Sequence, residues 1–221
     1  PNVGKSTLVN ALLEEERLLT GPEAGITRDS IAVDWTWTRQ DGTTRDFRLV
    51  DTAGLRRRAR VQDKVERLSA GDTKRALDFA EVVVLVLDAT QGLEKQDLTI
   101  GRIVAEEGRA LVVCINKWDA IEDREEHLKG FKQAIAISLP QFKDVPIVTV
   151  SALAKRNFPR LLEAVIEVHK VWNRRVGTGV LNRWLTAVLD HNPPPLVQGR
   201  PLPLKYITQV NIRPPSFALF T

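Results

Sequence analysis

The sequence predicts an α/β fold: a mostly parallel sheet with helices on both faces and one antiparallel pair. Three observations carry this. Val82–Leu87 (VVVLVL) and Leu111–Ile115 (LVVCI) are short, continuously apolar runs, the pattern of strands buried on both faces. Segments of helical spacing alternate with such runs, which argues for parallel crossovers. Asp41-Gly42 separates two β-rich segments, a strong hairpin signal.

Taken in order, residues 5–15 read as a helix entered from a Gly-containing turn. Ile31–Arg39 and Arg45–Val50 are the hairpin strands, and Gln62–Phe79 has helical spacing. Strand Val82–Leu87, helix Gln96–Glu107, strand Leu111–Ile115 and helix Arg124–Ile137 follow, then strand Pro146–Val150 and helix Pro159–Trp172. In open sheets of this kind ligands bind at the carboxyl ends of the strands. Trp35 and Trp37, two apart on one strand face, are expected to pack a helix. Trp172 and Trp184 are candidates for interface core.

Composition narrows the class. The chain has 221 residues, 43% hydrophobic and 27% charged, which excludes whole-chain disorder. One cysteine, Cys114, cannot form an internal disulfide and points to a reducing, cytoplasmic compartment. It lies inside LVVCI and is expected to be a core thiol. No uninterrupted apolar run reaches 18 residues, so no membrane span or membrane partner is expected. His127, His169 and His191 share no ligand spacing, so a zinc site is not expected. With no initiating Met, and none elsewhere, the sequence reads as an excerpt of a longer protein. From Arg174 to Thr221 there are six basic residues against one acid, Asp190, and seven of the 12 prolines. A domain boundary is therefore expected there, giving domains 1–173 and 174–221.

Four motifs follow predicted strands or open the first helix. The chain begins PNVGKST, and Gly4-Lys5-Ser6 before a helix is the end of a phosphate loop. Backbone N–H groups of Pro1–Thr7 (Asn2, Val3, Gly4, Lys5, Ser6 and Thr7) and the helix N-terminus would favour an anion. Lys5 would reach the β- and γ-phosphates, and the Ser6 hydroxyl would sit on Mg²⁺. The loop's first Gly and the strand feeding it are expected upstream of Pro1. Asp51-Thr52-Ala53-Gly54 is the second motif. Asp51 could hold Mg²⁺ through water, and Gly54 could offer its N–H to a γ-phosphate. The third is Asn116-Lys117-Trp118-Asp119. A carboxylate at Asp119 can accept two hydrogen bonds from guanine, whereas adenine offers neither donor at that edge and would leave it unpaired. Asn116 and Lys117 would brace the base and the phosphate loop. The fourth is Ser151-Ala152-Leu153, whose backbone N–H could meet the guanine oxygen. Each alone has a plain alternative, as a helix cap or a polar turn; their order, each at a strand end, is what favours a site.

Together PNVGKS, DTAG, NKWD and SAL resemble the GTPases of translation and ribosome assembly. DTAGLRRRARV, RALDFAEVVVLVLDAT and HNPPPLVQGRPLPLKYITQV with RPPSF are similar to one family, the bacterial Der (EngA) GTPases, over nearly the whole chain. The resemblance implies a P-loop GTPase fold in residues 1–173, a second GTPase domain lacking its first strand, followed from 174 by a partial α+β KH-like domain. It implies GTP and GDP as ligands, hydrolysis, assembly of the large ribosomal subunit, ribosomal RNA as partner and a preceding GTPase domain in the full-length chain. It also gives Thr27, in Gly25-Ile26-Thr27-Arg28-Asp29, as a Mg²⁺ ligand when the γ-phosphate is present. The catalytic set on this reading is Lys5, Thr27, Gly54 and Asn2.

Two departures bear on mechanism. Position 55 is Leu, where Ras-like enzymes place a water-orienting Gln. Related GTPases with P-N-x-G-K-S use the Asn to hold K⁺ beside the phosphates, so Asn2 is the candidate K⁺ ligand; an Asn that only shapes the loop is the alternative. Arg56–Arg60 with Lys64 is either a solvated face or a nucleotide-dependent contact. The tail contains no G-x-x-G loop, which a KH fold needs to grip single-stranded RNA. The competing functional readings are a nucleotide-controlled RNA-binding module with incidental turnover and a tRNA-modification GTPase.

Overall fold

The computed structural model describes residues 3–17, 32–50, 80–142, 144–195 and 202–221. Pro1, Asn2, Thr27, Asp51, Gly54, Leu55, the Arg56–Arg60 run and the predicted helix Gln62–Phe79 lie outside the described residues. The chain divides into two compact units, Pro1–Val168 and His169–Thr221.

In the first unit α1 (Lys5–Arg17) follows directly on Gly4, whose carbonyl accepts the N–H of Leu8 at 2.9 Å. Strands β1 (Ala32–Thr38) and β2 (Thr44–Val50) form an antiparallel hairpin around Asp41-Gly42. Asp41 stabilises that turn by accepting the Thr43 N–H and hydroxyl at 2.9 and 2.7 Å, and Gly42 takes the positive φ of 81° that a side chain would resist. Strands β3 (Val82–Asp88), β4 (Ala110–Asn116) and β5 (Ile147–Thr149) make a parallel sheet in the order β3-β4-β5. Helices α2 (Lys95–Glu106), α3 (Arg124–Ser138) and α4 (Phe158–Trp172) are the crossover and flanking elements. Among the described residues the hairpin and the parallel sheet form separate ladders.

Every residue of β4 is buried, as expected for a central parallel strand. Burying each of its Leu, Val or Ile side chains contributes about 1.5–3 kcal/mol. Its faces alternate between two cores. Val112 and Cys114 join α1, α4 and the hairpin through Leu8, Leu161 and Trp37; Leu111, Val113 and Ile115 join α2 and α3 through Val104, Phe131 and Ile135. Trp37 therefore packs between helices, while Trp35 stacks on Phe47 with centroids 5.2 Å apart. Arg39 pins the hairpin to α4 through a two-pronged ion pair with Glu163, both contacts at 2.6 Å. Cys114 is fully buried, and burial pushes its thiol up to about 12.

Helix starts are capped by the residues the sequence places there. Glu94 and Asp97 make a reciprocal capping box on α2, and Asp123 accepts the Glu126 N–H at the start of α3. Asp97 is buried, and burial raises its carboxyl above the ordinary value.

The second unit holds α5 (Thr178–His191) and an antiparallel pair, β6 (Tyr206–Asn211) and β7 (Ser216–Phe220). Asn182 ties helix to sheet: its Nδ2 donates to the Ile207 carbonyl and its Oδ1 accepts the Ile207 N–H, each at 3.0 Å. Buried Gln209 holds the segment entering α5, accepting from the Val176 N–H at 2.7 Å. Trp172 is buried and Trp184 is 56% exposed; α5 turns its Leu181 and Leu185 inward.

Candidate nucleotide site

The carboxyl ends of β3, β4 and β5 and the start of α1 converge on one buried side chain, Asn116. It closes β4 and is 2% exposed. Its Nδ2 donates to the Val3 carbonyl at 2.9 Å, and its Oδ1 accepts the Ala152 N–H at 3.0 Å. One amide thus joins the loop before α1, strand β4 and the loop after β5. Gly4 fits here for two reasons. Its φ is 85°, and a Cβ at that position would overlap Asn116 Nδ2. The glycine lets the phosphate-loop backbone lie against the amide that holds it.

Lys117 follows in the left-handed conformation, φ 62°, which turns the chain sharply out of β4. Its ammonium pairs with Asp88 Oδ2 at 2.5 Å. Asp88 closes β3 in register with Asn116 and is 1% exposed. Its other oxygen accepts the Thr90 N–H at 2.9 Å and hydroxyl at 2.7 Å. Burial opposes ionisation of Asp88, but the Lys117 ammonium and the Thr90 donors outweigh it and hold the carboxyl below its ordinary range. His127 Nε2 lies 2.9 Å from the Ala89 carbonyl, so α3 also fixes the turn after β3. Asp88, Thr90 and the His127 contact did not figure among the candidate residues; Lys117 did. The available signal for Asp88 was an acid directly after the continuously apolar run VVVLVL.

Asp119 sits in a 3-10 turn (Trp118–Ala120) and is exposed. The Ser151 hydroxyl beside it, with smaller help from the Asp119 N–H, Arg156 and Arg124, holds the carboxyl below the ordinary aspartate value of 3.8. It is ionised at neutral pH and can act only as an acceptor. Ser151 Oγ in turn accepts the Ala154 N–H at 3.0 Å. Ser151 and Arg156 bridge each other through their backbones, closing the loop that carries Ala152 and Leu153. Ala152 is buried at 4% exposure, whereas Leu153 projects at 82%.

Between α1 and this loop lies a cavity of about 400 Å³. Helix α1 lines it with Ser6, Thr7, Asn10 and Glu14, and the loop lines it with Ala152, Leu153 and Lys155. Of the predicted set, Val3, Gly4, Asn116 and Ala152 meet at the clamp, Ser6, Thr7, Ala152 and Leu153 line the cavity, Asp119 neighbours Ser151, Lys117 pairs with Asp88, and Lys5 opens α1. Pro1, Asn2, Thr27, Asp51 and Gly54 are outside the described residues.

A parallel sheet whose strand ends meet a glycine-turned loop at a helix N-terminus has the architecture of a P-loop nucleotide-binding domain. Comparison with known proteins carries this further. The family described as 50S ribosome-binding GTPase matches residues 1–117, and the KH-domain-like C-terminal region of EngA bacterial GTPases matches residues 175–221. The chain belongs to the 50S ribosome-binding GTPase family. It is 53% identical to GTPase Der of Novosphingobium aromaticivorans over 100% of its own length and 48% of the relative's. It is 54% identical to GTPase Der of Parvibaculum lavamentivorans, again over 100% of this chain and 46% of that one. The chain spans about half the length of the curated relatives it matches. Among solved structures it is similar to Era in complex with MgGDPNP and nucleotides 1506–1542 of 16S ribosomal RNA, at 26% identity and TM-score 0.52, over 76% of this chain and 53% of that one. It is also similar to a variant of Aquifex aeolicus Era bound to GDP·AlF4⁻, at 25% identity and TM-score 0.51, covering 76% and 54%.

Membership of a GTPase family implies Mg²⁺. The donor chemistry fits: Ser6 puts a hydroxyl at the first turn of α1, on the cavity wall. Among the described residues no helix is long and apolar enough to cross a membrane.

Proposed function

We propose that this chain is the guanine-nucleotide-binding and GTP-hydrolysing part of a switch protein that acts in assembly of the large ribosomal subunit. The observation that supports this most is the Asn116 clamp, which ties a phosphate-type loop, a lysine–aspartate turn and the Ala152 loop into one site. On this reading Asp119 accepts the ring N–H and exocyclic amine of guanine, and the Leu153 N–H meets its oxygen, the Ala152 N–H being held by Asn116. Lys5 and the N–H groups of residues 2–7 hold the phosphates. Ser6, with Thr27 and Asp51, would hold Mg²⁺, which would supply positive charge against the negative charge developing on the phosphates. Asn2 would hold K⁺ as a fixed charge beside the phosphates, where Leu55 leaves the attacking water without a side-chain partner.

The domain reading is part of the proposal: residues 1–173 as a GTPase domain, and 174–221 as the start of a KH-like domain that contacts ribosomal RNA. The similarity of the C-terminal segment to the EngA KH-like region supports it, as does that segment's excess of positive charge. A preceding GTPase domain is consistent with the length of the relatives, and the site of action would be cytoplasmic.

The direct test is titration of the nucleotide-free, full-length protein with GDP and ADP, followed by single-turnover GTP hydrolysis in K⁺ or Na⁺ buffer with and without large ribosomal subunits. The proposal expects GDP to bind at least a hundredfold more tightly than ADP, and turnover to rise with the subunits present. Equal affinity for the two nucleotides would refute it.

A further inference from the structure

The loop after β5 carries a second link to α1, distinct from the Asn116 clamp. Lys155 Nζ lies 3.4 Å from Glu14 Oε2, joining side chains 141 positions apart in sequence. Both flank the cavity between α1 and the loop, and both are accessible, at 45% and 63% exposure. The Lys155 backbone is left-handed at φ 50°, and Asn157, two residues on, also has a positive φ of 67°. Non-glycine residues resist that conformation. Here the loop is closed around it by the Ser151–Arg156 bridge and by Asn157 Nδ2 donating to the Thr149 carbonyl at 2.9 Å. The lysine is thereby aimed at α1 by a backbone that a glycine would adopt more easily.

We infer that the Lys155–Glu14 pair is a strap across the mouth of the nucleotide cavity, and that it slows release of bound guanine nucleotide. This rests on the nucleotide reading above. The argument is mechanical. On that reading α1 holds the phosphate side through Ser6 and Thr7, and the loop holds the base side through Ala152 and Leu153. A nucleotide that leaves by this mouth must part the two, and the pair opposes the parting. Both partners are accessible, so the effect is that of a surface ion pair: about two- to fivefold in release rate, weakened by salt.

The experiment is stopped-flow release of the fluorescent analogue mant-GDP from the full-length protein, chased with excess GDP, at 50 mM and 1 M NaCl. Lys155→Gly removes the ammonium and relieves the backbone, so it should accelerate release while leaving thermal stability unchanged or higher. Glu14→Gln should accelerate it by a similar factor, and the double variant by no more than either alone. The reversed pair, Glu14→Lys with Lys155→Glu, should return the rate to within about twofold of the parent. High salt should speed the parent and leave the single variants unaffected. Release from Lys155→Gly at the parent rate overturns the strap, as do additive single effects. A parent that does not bind mant-GDP at all would refute the nucleotide reading itself, and the strap with it.

Discussion

Replacing Asn116 with alanine tests whether one side chain organises the site. The substitution strands two polar groups, the Val3 carbonyl and the Ala152 N–H, at residues only 7% and 4% exposed. Leaving a buried donor or acceptor unpaired costs about 1–3 kcal/mol. The carbonyl has a second lone pair and sits at the lower end, so a total of about 3 kcal/mol is expected. With a urea m-value of about 2 kcal/mol/M, the unfolding midpoint of the nucleotide-free protein should fall by about 1.5 M. Nucleotide affinity should fall in parallel, by tenfold or more, because the phosphate loop and the Ala152 loop lose their common anchor. Urea titration followed by circular dichroism, together with calorimetric GDP titration, reads both quantities. A stability loss under 1 kcal/mol, or a GDP affinity equal to the parent's, would refute the reasoning.

Asp88→Asn keeps an acceptor for Thr90 but removes the charge facing Lys117, and should cost about 2 kcal/mol at neutral pH. Because the folded carboxyl is held below its ordinary value of 3.8, its contribution is fully present above that value and is lost as pH falls through the lower folded value. The stability gap between parent and variant should therefore stay constant from pH 8 to about 5 and close only in stronger acid, as urea titrations across that range would read. Cys114, fully buried with its thiol raised to about 12, should react with a thiol reagent only on unfolding; labelling of the native protein at the rate of a free thiol would contradict its placement in the core.

The parts of the site that were legible in the sequence are those in which residue type carries the geometry. Buried strands announce themselves as VVVLVL and LVVCI because a parallel strand has no solvent face. Gly4 precedes a helix because only glycine takes its φ against Asn116 without strain. Asn116, Asp119 and Ser151 stand at strand ends, and their motifs fix their spacing. What stayed hidden depends on partners far apart in sequence. Asp88 reads as the end of a strand until β3 and β4 pair in register and bring it to Lys117. The Glu14–Lys155 contact has no local signature at all.

The most direct test of the account is the base preference of Asp119. Its carboxylate, held below the ordinary aspartate value with help from the Ser151 hydroxyl, is ionised at neutral pH and can only accept hydrogen bonds. Asp119→Asn places a donor on that edge and should move preference from guanine to xanthine. Each pair with a charged partner is worth about 1.5–3 kcal/mol, so GDP affinity should fall at least roughly tenfold while affinity for xanthosine diphosphate rises. Titration of the full-length parent and variant with both nucleotides decides it. The account predicts crossed preferences; unchanged GDP binding in the variant would contradict it.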